Sequence, residues 1–260
     1  MRICRFQHPA DGEARWGLVA EDLVREWRPG GGAPRGEGAE HPLAGLTLLA
    51  PVAGGRIFGI GRNYADHIKE VNPGWSQPEP LVFMKPDSAL IGPGAPIVLP
   101  AGAGRVDYEG ELALVIGRGG RRLSITEAAG HILGVTCAND VSARDLQQRD
   151  GQWIRAKGHD SFCPLGPWIE TEAPAADLLI ETWLNGRCVQ RERSGAMLHG
   201  PAQLVAHIST FCTLRPGDII LTGTPAGVGP LAPGDRVRIE IEGVGALENP
   251  VAAEEVEHAL

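Results

Sequence analysis

Short apolar runs, broken again and again by glycine and proline, set the pattern of this chain. Residues 2–6 alternate between polar and apolar. Residues 16–20 read as a second extended run across a turn near Asp11 and Gly12. Further strands are predicted at 56–61, 81–84, 108–116, 132–139, 179–185, 219–222 and 236–242. Helices are fewer, at 64–70, 126–131, 142–147 and 201–211. Many strands with few crossover helices predict an α+β, β-rich fold rather than a doubly wound α/β sheet. The Gly/Pro-rich stretch 28–36 reads as a loop or linker. It closes a small N-terminal β domain, residues 1–50, ahead of a larger unit, residues 51–260.

Composition narrows the class. A hydrophobic fraction of 43% is normal for a globular core. With 36 glycines and 21 prolines against 5% aromatics, turns and short strands are favoured over long helices. The net charge of −8 argues against a nucleic-acid surface. An anionic substrate would need local positive charge or a metal. The five cysteines are odd in number and none is spaced as Cys-x-x-Cys, so reduced thiols in a cytoplasmic protein are expected. No apolar run reads as a signal peptide or is long enough to span a bilayer, so no membrane partner is expected.

The most informative chemistry is the pair Glu109 and Glu111. In an extended strand, side chains two apart share a face, so two carboxylates aim at one spot. Two anions that close repel unless a cation lies between them, and Mg2+ prefers oxygen donors. Asp140 follows the apolar run 132–138. It is either a helix cap or a third oxygen ligand. Arg144 and Gln147, three apart, share a helix face. Lys157, next to a glycine, is a surface ammonium or a cation for a substrate carboxylate or enolate oxygen. His67 and Glu70 also lie three apart, as either an imidazole base with its carboxylate or an exposed helix face. That helix and the loop after it could move as a lid. The Gly-rich loop 222–229, with Thr224, is either a tight turn or a cradle for a small carboxylate. It lacks a P-loop lysine, and Gly59-Ile60-Gly61 lacks the third glycine of a dinucleotide fingerprint. Gly-x-Ser-x-Gly and His-Glu-x-x-His are both absent, which leaves serine-hydrolase and zinc-hydrolase chemistry without support.

In this order, the segments resemble the fumarylacetoacetate hydrolase family. The matching pieces are Gly61-Arg62-Asn63-Tyr64 with His67 and Glu70, residues 81–86, 107–112, 138–147 and 155–160, Pro164-Leu165-Gly166-Pro167, Gly217-Asp218, and 222–229. The resemblance implies a mixed β-sandwich roll with few helices, usually a homodimer, holding Mg2+ or Mn2+. It implies Glu109, Glu111 and Asp140 as metal ligands and His67, Glu70 and Lys157 as catalytic groups. Arg62, Tyr64, Gln147 and Thr224 are implied as substrate contacts, and Arg144 either as another or as a structural partner of the acidic cluster. The implied substrate is a 2-oxo or 1,3-dicarbonyl acid. The leading reaction is C–C bond hydrolysis of an acylpyruvate-type 2,4-dioxo acid. The alternative is decarboxylation or isomerisation of a 2-oxo acid in aromatic catabolism. Two departures from the family pattern, at His159 and around His199, are expected to alter the pocket.

Overall fold

The computed structural model describes residues 1–29, 38–71, 73–76 and 78–255. Most of the predicted linker 28–36 lies outside the described residues, as do Asn72 and Gln77 in the segment after the first helix. The strand-rich expectation holds. Among the described residues there is a twelve-stranded sheet, a five-stranded sheet and a three-stranded sheet, with few helices between them. No helix among them is long and apolar enough to cross a membrane.

The sandwich is built on the strand Gly110–Ile116, which is buried along its whole length. Leu112, Leu114 and Ile116 face one core, with Ile180, Val237, Ile239 and Leu247 of the five-stranded sheet. Ala113 and Val115 face a second core, with Ile3, Ile219 and Leu221. Burial on both faces explains why this stretch reads as an unbroken apolar run. Its neighbours are Ile132–Asn139 and Ile219–Leu221, both antiparallel to it.

The first four strands do not stand apart. Arg2–Gln7 pairs antiparallel with Cys163–Glu170 through Arg2 with Glu170 and Ile3 with Ile169, so these strands extend the large sheet. They still carry a small core of their own, with Cys4, Phe6, Val19 and Val24 packed together.

Two predicted elements change where the site lies. The strand expected over 108–116 breaks at Glu109. Val106–Tyr108 belongs to the three-stranded sheet and Gly110–Ile116 to the large one. The ladder is interrupted because side chains take its hydrogen bonds. The Glu109 N–H donates to Asn139 Oδ1 at 2.9 Å, and the Gly110 N–H donates to Gln190 Oε1 at 3.0 Å. Only glycine fits at 110, since a Cβ there would lie 2.0 Å from Thr182 Oγ1. The helix expected over 142–147 starts later, at Arg144–Asp150, after a short strand Ser142–Ala143. The helix Pro201–Phe211 is as predicted. Strands at Cys163–Glu170, Arg187–Arg193 and Gly245–Ala253 were not expected. The first carries Pro164 and Pro167, residues that ordinarily argue against a central strand.

Candidate active site

Glu109, Glu111 and Asp140 come together where the chain passes from one sheet to the next. All three are buried, and one carboxylate oxygen from each lies within 4.8 Å of the others. Glu109 sits at the break, and Asp140 directly follows Ile132–Asn139. The two backbones are clamped, with the Asp140 N–H donating to the Glu109 carbonyl at 2.8 Å. The helix-cap alternative for Asp140 does not hold. The next helix is preceded by Ala143, with no side-chain cap. The Asp140 carboxylate instead accepts from two buried ammonium groups, Lys85 at 2.5 Å and Lys157 at 2.5 Å.

Positive charge surrounds this cluster unevenly. Lys157 Nζ also reaches Glu109 Oε2 at 2.7 Å. Arg144 bridges Glu109 Oε1 at 2.6 Å and Asp107 Oδ2 at 2.8 Å, and donates to Gln147 Oε1 at 3.0 Å. Burial pulls the Lys157 ammonium down, but Asp140 and Glu109 outweigh it and hold it above its usual range. Burial would raise the Glu109 carboxyl, yet Lys157, Arg144 and His67 pull it below the usual carboxylate range. Glu111 goes the other way. Burial, then Asp140 and Glu109, push it well above its ordinary value, and among the described residues its Oε2 accepts only the Gly223 N–H, at 2.7 Å. Gly223 can make that approach because its φ is +97°, a conformation open to glycine.

A divalent cation fits this donor set. Three buried carboxylates converge, and Glu111 is pushed toward its neutral form by burial and the other two, with no ammonium or guanidinium bonded to it among the described residues, a conflict that a cation between them would relieve. Oxygen-only donors suit a hard ion such as Mg2+ or Mn2+.

The cluster forms the floor of a cavity of about 610 Å³. His67, on the helix Ala65–Val71, lines it with Glu70, Arg62, Gln147, Trp153 and Thr224. His67 Nδ1 is 3.6 Å from Glu70 Oε2, and Glu70 in turn accepts the Gly227 N–H at 3.0 Å. Burial lowers the His67 imidazole below its usual value, although Glu109 opposes the shift. Arg62 follows the strand Ile57–Gly61 with φ +59°, and its guanidinium lies over Trp75 at 4.8 Å and Trp153 at 5.9 Å. Tyr64 is buried beside Glu111, its phenol raised first by burial and then by that carboxylate. Thr224 uses its hydroxyl within the fold, donating to the Gly110 carbonyl at 2.9 Å and accepting from Gln190 Nε2 at 2.8 Å.

Comparison with protein-family models decides the family. The Fumarylacetoacetate (FAA) hydrolase C-terminal model matches residues 56–252, and an Rv2993c-like, N-terminal model matches residues 1–51. The chain belongs to the fumarylacetoacetate hydrolase family. It is 46% identical to the crystal structure of 5-carboxymethyl-2-hydroxymuconate delta-isomerase from Mycobacterium smegmatis, over 98% of this chain and all of that one, with a TM-score of 0.90. It is 42% identical to the mitochondrial oxaloacetate tautomerase Fahd2a of Rattus norvegicus, over 81% of this chain and 71% of the relative. Maleylpyruvate hydrolase from Sphingobium sp. SYK-6, solved with manganese(II) and pyruvate, is 31% identical over 98% of this chain and all of that one, with a TM-score of 0.82. These fumarylacetoacetate hydrolase family relatives carry the names of an isomerase, a tautomerase and a hydrolase.

Within this family site, sequence reasoning passed over Lys85, Asp107 and Gln190. Lys85 ends the strand Leu81–Lys85, with its side chain fully buried on Asp140. A lysine closing an apolar strand was the available signal. Gln190 joins Gly110 to the loop at Thr224 and Pro225, but nothing in its own strand marks it. The expectation that His159 and His199 shape the pocket finds no support. Neither lines the cavity. His159 packs on Phe162 at 5.0 Å, and the His199 backbone brackets the Asn63 amide.

Proposed function

We propose that this chain is a metal-dependent enzyme that moves a proton on the carbon next to the keto group of a 2-oxo acid. The observation that carries this reading is His67, buried in the same cavity as Glu109, Glu111 and Asp140. These three carboxylates are the proposed ligands of Mg2+, with Mn2+ the alternative that the hydrolase relative holds. When bound, the metal supplies Lewis-acid stabilisation of negative charge on the substrate's keto and carboxylate oxygens.

The remaining roles belong to side chains. Burial favours the neutral His67 imidazole, the form that accepts a proton. Glu70, fixed by the Gly227 N–H, faces Nδ1 and offsets the charge the ring acquires. Lys157 holds a positive charge beside two of the proposed ligands, close to where the substrate's oxygens would sit. Arg144 and Gln147, which line the cavity and are bonded to one another, are proposed to complete the near end of the substrate site, whereas Tyr64 does not line the cavity and is proposed to act through the neighbouring Glu111. Thr224 is proposed to position the Gly110 backbone, to which its hydroxyl donates. Arg62 has no carboxylate partner among the described residues and is proposed to receive an anionic group at the far end. The working unit is proposed to be a homodimer.

Proton transfer is placed ahead of hydrolysis because the relatives at 46% and 42% identity bear isomerase and tautomerase names. Hydrolysis of an acylpyruvate-type 2,4-dioxo acid is the second reading, favoured by the maleylpyruvate hydrolase neighbour. There the His67–Glu70 pair would activate a water against the distal carbonyl. Decarboxylation would use the same residues without that water. Purified protein with Mg2+ is assayed on enol oxaloacetate, acetylpyruvate and fumarylpyruvate. Metal-dependent ketonisation that falls by about 100-fold in His67→Ala is the expected result. Faster cleavage of the acylpyruvates would promote the second reading. No turnover of any of the three would overturn both.

A further inference from the structure

A second group of metal-type donors lies among the first four strands, away from the cavity. One atom each from His8, Glu26 and His41 falls within 4.8 Å of the others. His8 follows the strand Arg2–Gln7, Glu26 lies in Leu23–Trp27, and His41 lies in Glu40–Pro42. Three separate chain segments therefore converge on one point. His41 Nε2 is 2.9 Å and His8 Nε2 3.5 Å from the same atom, Glu26 Oε1. Donors around a tetrahedral ion at roughly 2.0–2.1 Å stand about 3.3 Å apart. The two observed separations bracket that spacing.

His8 adds an independent argument. Its Nδ1 lies 3.1 Å from Asp11 Oδ1 while its Nε2 faces Glu26. A neutral imidazole has one donor and one acceptor nitrogen. In the neutral ring, whichever nitrogen carries the proton, the other meets a carboxylate lone pair to lone pair, and either a second proton or a metal cation removes that conflict. The Ala10 N–H, 3.4 Å from Nδ1, relieves this only weakly. A cation on Nε2, with Nδ1–H donating to Asp11, satisfies both sides and reproduces the carboxylate–histidine–metal arrangement. Arg15 also touches Glu26 Oε1, at 3.1 Å, but it pairs with Asp11 as well and so keeps a partner when a cation takes the glutamate.

We propose that His8, Glu26 and His41 form a second cation site that takes Zn2+ in preference to Mg2+ and ties three N-terminal strands together. Two imidazoles and one carboxylate suit Zn2+, whereas Mg2+ prefers oxygen alone. All three side chains are half-buried, so water can reach the ion as a fourth ligand.

The test uses the full chain, stripped with a chelator and titrated calorimetrically with Zn2+ or Mg2+ alone. Glu109→Gln with Glu111→Gln first removes the acidic site. That variant is expected to bind one Zn2+ per chain and no Mg2+, and Zn2+ is expected to raise its melting temperature. Adding His8→Gln and His41→Gln is expected to abolish both effects, and Glu26→Gln to do the same by a second route. In the otherwise unaltered chain, the histidine changes are expected to lower Zn2+ stoichiometry from two to one. Zn2+ binding that ignores these substitutions would overturn the proposal. So would no Zn2+ binding in the acidic-site variant, which would leave the cluster a hydrogen-bonded ion network only.

Discussion

The floor and the rim of the cavity are built on opposite terms. On the floor Asp140 and Glu109 are each tied to two cations, while Glu111 has only the Gly223 N–H among the described residues. Lys85 and Lys157 hold Asp140, Lys157 and Arg144 hold Glu109, and Asn139 and Gln190 hold the backbone beneath. At the rim, His67 Nδ1 has no hydrogen bond among the described residues, Glu70 is exposed, and Arg62 rests on two indoles. A network with this many partners holds one geometry, because removing any member leaves buried charges with fewer counter-charges. Groups with few bonds can move or be exchanged at small cost to the fold. The floor is thus suited to the constant part of a substrate, and the rim to proton transfer and choice.

Removing a floor carboxylate should give the largest effect. Glu109→Ala is expected to lower metal-dependent turnover by about 1000-fold, the scale of losing a main source of charge stabilisation. It should also weaken Mn2+ binding, measured by calorimetry. Unchanged affinity would remove Glu109 from the ligand set. Lys85→Met tests whether the floor carries stability as well as chemistry. Breaking a buried ion pair costs about 3–5 kcal/mol, and here Lys157 still holds Asp140, so about 3 kcal/mol is expected in urea unfolding. A loss below about 1 kcal/mol, the scale of a surface pair, would mean that the network is less demanding than its burial implies.

The same contrast explains what could be read from the sequence. Glu109 and Glu111 were legible through their spacing, and Asp140 through its place after an apolar run. Strand alternation alone does not account for the pair. They do not share one unbroken strand, and what gathers them is a change of sheet enforced by Asn139 and Gln190. Those contacts join residues about 30 and 80 positions apart, which no local pattern records. His67–Glu70 and Arg144–Gln147 were legible because helix spacing is local. Lys85 was missed because a single lysine reads as surface until its partner is seen. The pairing of the first strand with Cys163–Glu170 was equally hidden, since prolines disguise that strand.

His67→Ala probes the rim. Turnover is expected to fall by about 100-fold, within the range for a general acid–base group, with metal affinity unchanged. Stability should barely move, since the imidazole's nearest carboxylate is 3.6 Å away. A metal-affinity loss equal to that of Glu109→Ala would erase the distinction between floor and rim.

The smallest effect is expected at Arg62, and it falls on selectivity. The other cations lining the cavity are paired: Lys157 with Glu109 and Asp140, Arg105 with Asp107, and Arg144 with Asp107 and Glu109. Arg62 alone among the described lining cations meets only aromatic faces. Its left-handed backbone is a conformation that a non-glycine residue adopts at some cost, and such strain concentrates at functional sites. A charge-assisted hydrogen bond contributes about 1.5–3 kcal/mol, equivalent to roughly 10–100-fold in affinity. Arg62→Met should therefore raise KM for a 2-oxo dicarboxylate by about 10-fold and leave kcat nearly unchanged. A 2-oxo monocarboxylate, with no second anion to lose, should show the same KM in both proteins. Equal increases for the two substrates would move Arg62 from the far end of the site to the near one.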